Sequence, residues 1–517
     1  MRNFKLSLLS GLLLAFSWPE IGFFPIIIIA FIPLFILEHE IGESELKRKG
    51  RYVFWYSFLA FLLFNIITTY WVWNASPGGA LFAFIVNSFL MTFVFWVFHK
   101  AKNILGNRLG YLMFLVCWLS MEYLHLNWSL AWPWLILGNV FANHPSLVQW
   151  YEYTGFLGGS VAVILINLAI FKQYLYKNKW KNSIPVYILL ISPFIASIFF
   201  LNNINQKAYD EIEVVIVQPN LDPYKEKFTI PAEDQLDDFI SLAKSKLTTS
   251  TSLLIGPETA LQESILENNI NKSSSIYRLQ ELQDSFPKLS ILIGATTHRM
   301  FGKNDKKSTT ARKMKDVDVW LDFYNSAIYL SSDKSISIYH KTKLVPGAEG
   351  IPYPKIFGKI AGLIVNLGGS SGSLSRENSI ITFKESNYAT NPLICYESVF
   401  GDINSSKPSN LLCVITNDGW WKKTAGYKQH LLYARIRAIE QRKSLVRSAN
   451  TGISCVISPK GEVVAKTDWN EKIAIKNTVS LFKSNTFYNQ YGDYIGRISS
   501  FLTVLLLLIT ITRYKTK

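Results

Sequence analysis

Long apolar segments fill much of the first 201 residues, and another lies near the C-terminus. A helix needs about 20 mostly apolar residues to cross the hydrocarbon of a bilayer. The pattern therefore predicts about eight membrane-spanning helices, at residues 6–17, 21–37, 52–73, 80–98, 109–126, 154–175, 184–201 and 495–511. The first segment follows Arg2 and Lys5, as in a signal peptide, but Trp18 and Pro19 stand where a cleavage site needs small residues.

Residues from about 210 to 485 contain no such segment and alternate short β-rich runs with amphipathic helical patterns. This alternation is typical of an α/β layered domain, and runs that are apolar throughout indicate strands buried on both faces. Strands are predicted at residues 214–217, 253–255, 291–293, 326–330, 336–339, 392–394, 411–415 and 453–457, and helices at 234–246, 275–283 and 427–444. A basic stretch at 303–315 and a Gly/Ser-rich stretch at 366–375 are predicted to be flexible loops.

The patterns divide the chain into three predicted parts. Residues 1–205 form an N-terminal membrane domain of about seven helices, residues 210–485 form the polar domain, and residues 490–517 form a C-terminal membrane helix with a short tail. A hydrophobic content of 49% in 517 residues agrees with an integral membrane protein that has a sizeable polar part. Four scattered cysteines are too few for a disulfide framework or a zinc site.

The chain is strongly positive, because Lys and Arg outnumber Asp and Glu by 53 to 37. Much of this charge flanks the apolar segments, where it sets orientation and meets anionic lipid headgroups, so we expect no nucleic-acid partner. Basic residues occupy alternate connections and the tail, at Lys47, Arg48, Lys49, Arg51, Lys100, Lys102, Arg108, Lys172, Lys177, Lys179, Lys181, Arg513, Lys515 and Lys517. Basic connections stay inside, which predicts cytoplasmic termini, a bacterial inner-membrane location and a periplasmic polar domain.

The connection at residues 127–153 is aromatic rather than charged, with four Trp and two Tyr residues. Trp and Tyr favour the interface between lipid headgroups and tails. The stretch is therefore either an aromatic belt, which is the usual role of such residues, or the rim of an opening through which lipid reaches a site.

Three residues suited to acyl transfer lie at the ends of predicted strands. Cys395 closes the strand at 392–394, Glu258 follows the strand at 253–255, and Lys341 follows the strand at 336–339. A free thiol is mostly protonated at neutral pH, since its ordinary pKa is ~8.5. A nearby Lys favours the thiolate, and a nearby carboxylate can accept the thiol proton. Spacing alone is a weak signal, because more than a hundred residues separate the first of the three from the last.

Each of these residues also has a purely structural interpretation. A free Cys is usually a small buried apolar residue, which is the role we expect for Cys117, Cys413 and Cys455 inside their apolar runs. Glu258 would suit the N-terminus of a following helix, and Lys341 would suit a solvated strand end. The sequence around the three residues is what favours catalysis.

Six short runs make up that local sequence. They are Gly256-Pro257-Glu258-Thr259-Ala260, the Tyr-x-Lys-x-x-Leu-Val-Pro run from Tyr339, Cys395-Tyr396-Glu397, Asn417-Asp418-Gly419-Trp420-Trp421, Gln429-His430 and Ala449-Asn450-Thr451-Gly452. These runs resemble motifs of the nitrilase, or carbon–nitrogen hydrolase, superfamily. The chain also resembles, over its whole length, the branch of that superfamily fused to membrane helices, the apolipoprotein N-acyltransferases.

The resemblance implies an αββα sandwich in which Glu258, Lys341 and Cys395 are the catalytic triad and Glu349 is a second glutamate of the site. The family usually reads Leu-Val-Pro-Phe-Gly-Glu before that glutamate. This chain has Gly347-Ala348 instead of Phe-Gly, so the shape of the contacts near Glu349 is in question.

Other residues of the matching runs are candidates for supporting roles. A backbone N–H near Tyr396 is expected to join Lys341 in stabilising an oxyanion, and Glu397 either orients the site or forms an ordinary ion pair. Trp420 and Trp421 are either substrate contacts or packing anchors. His430 lies in an amphipathic pattern and is expected to be structural.

The resemblance implies that an acyl chain moves from a membrane phospholipid, through a Cys395 thioester, to the N-terminal amine of a diacylglyceryl apolipoprotein. A monomer without metal or organic cofactor is expected. Two other classes stay open from the residues alone, namely a membrane-tethered amidohydrolase and a receptor whose nitrilase-like domain only binds a ligand. A transporter is disfavoured because the spans hold few ionisable residues, Glu122 being an exception.

Overall fold

The computed structural model describes residues 1–20, 22–176, 183–203, 208–302, 304–314, 319–353, 373–405 and 407–516. Most of the predicted loop at 366–375, and part of the loop at 303–315, lie outside these residues. The chain divides into two compact units. One comprises Met1–Trp73, Pro77–Ile204 and Gln490–Lys517, and the other comprises Asn74–Ser76 and Asn205–Asn489.

The first unit is helical. Its helices up to residue 203 are α1 (Arg2–Ser17), α2 (Ile32–Glu43), α3 (Lys49–Thr69), α4 (Val72–Ala75, which runs into the second unit), α5 (Pro77–Leu105), α6 (Asn107–Asn127), α7 (Tyr151–Thr154), α8 (Phe156–Tyr176) and α9 (Ile184–Asn203). A C-terminal helix, Tyr494–Thr516, completes the unit.

Seven helical segments among the described residues are long and apolar enough to cross a membrane. They are Phe24–Glu43, Lys49–Thr69, Pro77–Leu105, Asn107–Asn127, Phe156–Leu175, Ile184–Leu201 and Tyr494–Thr516. Each corresponds to one of the eight predicted spans, with ends that differ by a few residues. The remaining prediction, residues 6–17, corresponds to α1, whose 16 residues are fewer than the roughly 20 that a span needs.

Small and paired polar residues let these helices pack closely. At Gly11 of α1 an added Cβ would lie 2.6 Å from the carbonyl oxygen of Ala60 in α3, so only glycine allows this approach. The buried Glu38 carboxylate of α2 contacts His99 Nδ1 at 2.8 Å and also Lys102, both on α5. Glu122, the acidic residue that stood out in the sequence, accepts a hydrogen bond from the Leu137 N–H at 2.8 Å.

The second unit contains two sheets. Its strands are β1 (Asp210–Gln218), β2 (Thr251–Ile255), β3 (Leu261–Leu266), β4 (Ser290–Phe301), β5 (Arg312–Lys313), β6 (Trp320–Leu330), β7 (Ile336–His340), β8 (Phe383–Lys384), β9 (Ala389–Ile394), β10 (Leu411–Thr416), β11 (Ser444–Ala449), β12 (Cys455–Ile457), β13 (Val463–Lys466) and β14 (Ile473–Leu481). The first sheet has the order β14-β1-β2-β4-β6-β5, with β3 on β4 and β7 on β6, and the second has the order β13-β12-β11-β10-β9-β8.

The helices of this unit are α10 (Ala232–Lys244), α11 (Ser274–Asp284) and α12 (Ala425–Gln441), and α13 (Phe487–Tyr491) precedes the C-terminal helix, α14. Alternate residues of β1 show the layering. Val214 and Ile216 pack in a core with the second sheet and α12, whereas Val215 and Val217 pack with α10 and α11. The layers are thus helix, sheet, sheet and helix, and the apolar runs are buried on both faces, as predicted.

One predicted helix was too long. The pattern at 427–444 indicated a single helix, but α12 ends at Gln441, Arg442 has a left-handed conformation with φ of 49°, and Ser444 begins β11. This strand escaped prediction because Ser444, Arg447 and Ser448 make it look polar, although all its residues are buried. β3, β13 and β14 were also missed, since polar residues interrupt the apolar ones in β3 and β14, and β13 is only four residues long and partly exposed.

The parallel strands place their carboxyl ends together. β1, β2 and β4 run parallel in one sheet, and β9, β10 and β11 run parallel in the other. In layered α/β domains, loops at such ends hold functional residues because helices cover the faces of the sheets. Glu258 follows β2, Cys395 follows β9, and Lys341 follows β7, an antiparallel neighbour of β6.

Candidate active site

Cys395 lies in a strained turn directly after β9. Its φ of 51° is in the left-handed region, which is unfavourable for a residue with a Cβ and persists only where the surroundings hold it, at a cost of about 1–3 kcal/mol. The residues that follow form a short helical turn, Cys395–Val399. Buried hydrogen bonds hold both sides of the turn, because Ile394 N–H donates to Glu397 Oε2 and Ser398 Oγ donates to the Cys395 carbonyl oxygen, each at 2.8 Å.

The Glu258 carboxylate is buried, and both of its oxygens accept hydrogen bonds. Oε1 accepts hydrogen bonds from Asn325 Nδ2 at 2.7 Å and from Lys341 Nζ at 3.2 Å, and Oε2 accepts one from the Asn417 N–H at 3.1 Å. Burial opposes ionisation, but Lys341, Asn325 and the Lys227 ammonium outweigh it and lower the pKa of Glu258. The carboxylate is therefore ionised at neutral pH and can accept a proton.

Lys341 bridges the two glutamates of the site. Its Nζ lies 2.8 Å from Glu349 Oε1, closer than its 3.2 Å contact with Glu258, and its own N–H donates to the Asn325 carbonyl oxygen. Burial alone would lower the pKa of Lys341, but the Glu349 and Glu258 carboxylates raise it well above the ordinary value. The side chain is thus a held ammonium, suited to binding negative charge rather than to accepting a proton.

Glu349 keeps its place despite the unusual residues before it. Its Oε1 accepts a hydrogen bond from Asn325 Nδ2 at 2.9 Å and its Oε2 accepts one from the Val345 N–H at 2.8 Å. Gly347 has a φ of 81°, which favours glycine, and its N–H donates to the Gly350 carbonyl oxygen. The Gly347-Ala348 variation therefore forms a tight turn that still brings Glu349 to Lys341.

The Cys395 thiol belongs electrostatically to the same cluster. Burial raises its pKa most, the Glu258 carboxylate raises it further, and the Lys341 ammonium opposes both. The thiol is consequently protonated at rest and needs a base before it can react. Glu258, whose charge acts directly on the thiol, is the ionised carboxylate available for that role.

Glu397 ties the segment of Lys341 to the turn of Cys395. Besides holding Ile394, its carboxylate accepts hydrogen bonds from Tyr339 Oη at 2.6 Å and from the N–H and Oγ1 of Thr342 at 2.6 and 2.7 Å. In the described part of the chain these contacts, rather than an ion pair, surround it, and burial raises its pKa. Of the two interpretations, orientation of the site is the one this geometry supports.

The other supporting candidates are aromatic residues that pack against neighbouring rings. Tyr396 is buried, with its ring 5.1 Å from that of Phe400. Trp420 and Trp421 belong to a short turn, Asp418–Trp421, and are half-buried. The Trp420 ring lies 5.4 Å from Tyr224, and the Trp421 ring lies 5.4 Å from the imidazole of His430.

Two residues of the site were missed from the sequence. Asn325 joins Glu258 to Glu349 from the middle of β6, where nothing in the local pattern marks it. Lys227 is buried, and its Nζ donates to Thr259 Oγ1 and, at 3.4 Å, to the Glu258 carbonyl oxygen. Burial lowers the pKa of Lys227 to about 8. The only sequence signal for Lys227 is a basic residue in the loop after β1, which solvated lysines share.

Two family models match the chain. Residues 10–169 match the family model described as apolipoprotein N-acyltransferase N-terminal domain, and residues 230–481 match that of carbon-nitrogen hydrolase. The chain belongs to the apolipoprotein N-acyltransferase family. The family and the fold class expected from the sequence are thereby confirmed, and membership makes the chain an acyltransferase of the carbon–nitrogen hydrolase superfamily.

Relatives in other bacteria match nearly the full length of the chain. An apolipoprotein N-acyltransferase of Chlorobaculum tepidum is 28% identical, over 99% of this chain and 97% of the relative. One of Thermotoga maritima is 26% identical, over 98% and 93%. Among solved structures, a CN-hydrolase superfamily protein from Xanthomonas campestris matches with a TM-score of 0.36 at 14% identity, over 52% of this chain and 91% of that one.

Proposed function

We propose that this chain transfers an acyl chain from a membrane phospholipid to the N-terminal amine of the diacylglyceryl-cysteine of an apolipoprotein, through a thioester on Cys395. The observation that carries the proposal is the buried cluster in which Lys341 bridges Glu258 and Glu349 beside the strained turn of Cys395. The apolar helices place the protein in a lipid bilayer, whose phospholipids can serve as acyl donors.

In the first half-reaction Glu258 accepts the thiol proton, and the Cys395 thiolate attacks an ester carbonyl carbon of the phospholipid. Negative charge develops on the carbonyl oxygen, where the Lys341 ammonium and the Tyr396 N–H stabilise it. The carbon–oxygen bond then breaks, Glu258 returns the proton to the alkoxide, and lysophospholipid leaves. The raised pKa of Cys395 suits this order, because the thiol stays unreactive until the base acts.

In the second half-reaction the amine of the acceptor attacks the thioester carbonyl. Glu258 accepts a proton from the attacking nitrogen, the carbon–sulfur bond breaks, and the Cys395 thiol is restored with that proton. Water has to be excluded while the thioester persists, or the enzyme becomes a phospholipase. Glu349, Glu397 and Asn325 hold the reacting groups in place, and Trp420 and Trp421 flank the substrates.

The location follows from the basic connections between helices. We place the protein as a monomer in the bacterial inner membrane, with both termini in the cytoplasm and the α/β unit in the periplasm. Cytoplasmic termini require an even number of crossings, so this placement makes α1 (Arg2–Ser17) a short eighth span beside the seven longer ones. The acceptor amine and the outer-leaflet phospholipids are both found on that side.

Purified protein with labelled phospholipid alone tests the proposal. We expect one acyl-thioester on the peptide that carries Cys395 and one lysophospholipid per protein, after which the reaction stops. A diacylglyceryl peptide with a free N-terminal amine should discharge the thioester and restart turnover, whereas its N-acetylated form should not. Continuous release of lysophospholipid and free fatty acid without an amine would identify a hydrolase instead.

Two variants assign the roles within the first half-reaction. Glu258→Gln should fail to load the acyl chain, because a single residue is both base and acid. Lys341→Ala should load about 10²–10³-fold more slowly, since one oxyanion donor is typically worth roughly 3–4 kcal/mol. Loading at the wild-type rate by either variant would contradict its assigned role.

A further inference from the structure

A buried histidine contacts the peptide group that follows the nucleophile. His430 Nε2 lies 3.0 Å from the Cys395 carbonyl oxygen and 2.8 Å from Ser398 Oγ, which itself donates to the same carbonyl oxygen. His430 and Ser398 are both fully buried. The carbonyl oxygen can only accept hydrogen bonds, so the geometry assigns a proton to Nε2.

The other side of the imidazole is anchored by a buried ion pair. Nδ1 of His430 lies 2.9 Å from Asp418 Oδ1, and Asp418 Oδ2 accepts a hydrogen bond from Arg447 Nη2 at 2.7 Å. Arg447 and His430 hold the pKa of Asp418 below its usual range despite burial. Arg447 Nη2 also lies 3.0 Å from His430 Nδ1, so the ion pair of Asp418 and Arg447 holds this edge of the ring and sets the direction in which Nε2 points.

The Cys395 carbonyl and the Tyr396 N–H belong to one peptide group. In a trans peptide these two bonds point in opposite directions, so fixing the carbonyl also fixes the direction of the N–H. A carbonyl that accepts hydrogen bonds also polarises its peptide and strengthens the N–H as a donor, by about 10–30% per bond. This clamp matters at Cys395 because its left-handed backbone is strained and relaxes if it is not held.

We propose that His430, held by Asp418 and Arg447, is a positioning residue that aims and polarises the Cys395–Tyr396 peptide so that its N–H stabilises the oxyanion. The inference rests on the proposed function only in assigning that N–H to the oxyanion. The segment after β10 contacts both Glu258 and His430. The Asn417 N–H donates to the Glu258 carboxylate, and the adjacent Asp418 orients the His430 ring.

Two reactions of Cys395 separate this role from general support of the fold. Alkylation by iodoacetamide needs the thiolate and access but no oxyanion, whereas acylation by a p-nitrophenyl fatty ester needs all three. Both rates are measured on full-length protein in detergent, together with the thermal midpoint. The variants are His430→Ala, His430→Gln and Ser398→Ala. The matched control is Tyr388→Phe, which removes a buried hydroxyl bonded to Ser290 and Tyr329 elsewhere in the same unit.

We expect His430→Ala to slow acylation about tenfold to hundredfold, less than the 10²–10³-fold typical of losing a whole oxyanion donor, while alkylation stays within about twofold. His430→Gln, which keeps an N–H donor, should recover part of the loss, and Tyr388→Phe should change neither rate. Equal losses of acylation and alkylation, or unchanged acylation, would overturn the proposal. If His430→Ala does not fold, Ser398→Ala carries the test, with a smaller but equally selective loss expected.

The ester keeps the test independent of the natural substrates. Wild-type protein that reacts with the p-nitrophenyl ester but not with phospholipid would refute the proposed donor, while the comparison of His430 variants would still decide the positioning role.

Discussion

Buried charges are balanced among individual residues of the site. Two carboxylates, Glu258 and Glu349, contact the Lys341 ammonium, and a second ammonium, Lys227, donates to the Glu258 carbonyl oxygen. Glu258, Lys341 and Lys227 all act electrostatically on the neutral thiol of Cys395. Converting the thiol to thiolate by proton transfer to Glu258 leaves the total charge unchanged. This arrangement avoids the large penalty of adding a net charge to a buried site, and it assigns each residue an effect that substitution can measure.

Replacing the proposed nucleophile should abolish activity without loss of structure. Cys395→Ala is expected to form no acyl-enzyme, because the nucleophile is removed, and to keep a thermal midpoint close to wild type. Cys413→Ala and Cys455→Ala are matched controls, since both thiols are buried within strands. Both should retain turnover of lipoprotein peptide, measured by acyl transfer in detergent. Substantial turnover by Cys395→Ala would remove the thioester from the mechanism.

The buried Lys227 ammonium should lower the stability of the fold and raise the reactivity of the Cys395 thiol. Its folded-state pKa of about 8, against an ordinary 10.5, means that folding is opposed by about 3 kcal/mol below pH 8, because each pKa unit is worth about 1.36 kcal/mol. The unfolded chain binds the extra proton between pH 8 and 10.5, so this penalty shrinks as pH rises through that window. Lys227→Met should therefore raise the thermal midpoint at pH 7, by an amount that declines towards pH 10.

The same variant should react more slowly at its thiol. The Lys227 ammonium favours the thiolate of Cys395, so its removal should shift the pH profile of iodoacetamide alkylation to higher pH. Lys225→Met is the control, because Lys225 is exposed on the same loop and should leave both measurements unchanged. A lower thermal midpoint for Lys227→Met at pH 7 would show that the ammonium stabilises the fold instead.

Among the elements, β4 limits the position of Glu258, the proposed base. At Gly294 an added Cβ would lie 2.5 Å from the Thr259 nitrogen, 2.6 Å from the Pro257 oxygen and 2.7 Å from Glu258 Cα. These are backbone atoms on both sides of Glu258, and they cannot rotate away as a flexible side chain could. The turn that carries Glu258 therefore packs directly against the backbone of β4 at Gly294, where the strand has no side chain.

Gly294→Ala should displace Glu258 and slow acyl loading, even though alanine is tolerated in strands elsewhere. Overpacking of this kind typically destabilises by about 1–3 kcal/mol, so the thermal midpoint should also fall. Thr296→Ala, two residues along β4 at an exposed position, should change neither quantity. Wild-type loading by Gly294→Ala would mean that the turn moves freely and that the contact does not position the base.

For the molecule as a whole, orientation in the membrane decides which substrates the site can meet. A reporter that is active only outside the cytoplasm should be inactive when fused after residue 179 and active when fused after Asn203. The two fusion points flank a single apolar helix, Ile184–Leu201, so each is the control for the other. The reverse pattern would put the α/β unit in the cytoplasm and exclude a periplasmic lipoprotein acceptor.

Hydropathy, strand runs and local motifs were enough to predict the membrane helices, the α/β class and the family. These features are encoded locally, since an apolar run of 20 residues or a buried strand carries its signal in its own composition. The placement of Glu258, Lys341 and Cys395 at strand ends was likewise predictable, because each follows an apolar run. Their catalytic roles stay predictions until the variants are measured.

The charges and contacts of the site could not be predicted in this way. Asn325 of β6 reaches Glu258 and Glu349, and His430 of α12 reaches the turn of Cys395, only because elements far apart in the chain pack together. Arg447 is the clearest case, since its charge made β11 look exposed, whereas burial with Asp418 makes it part of the core. Burial and pairing are properties of the assembled layers, and a linear pattern of residues does not contain them.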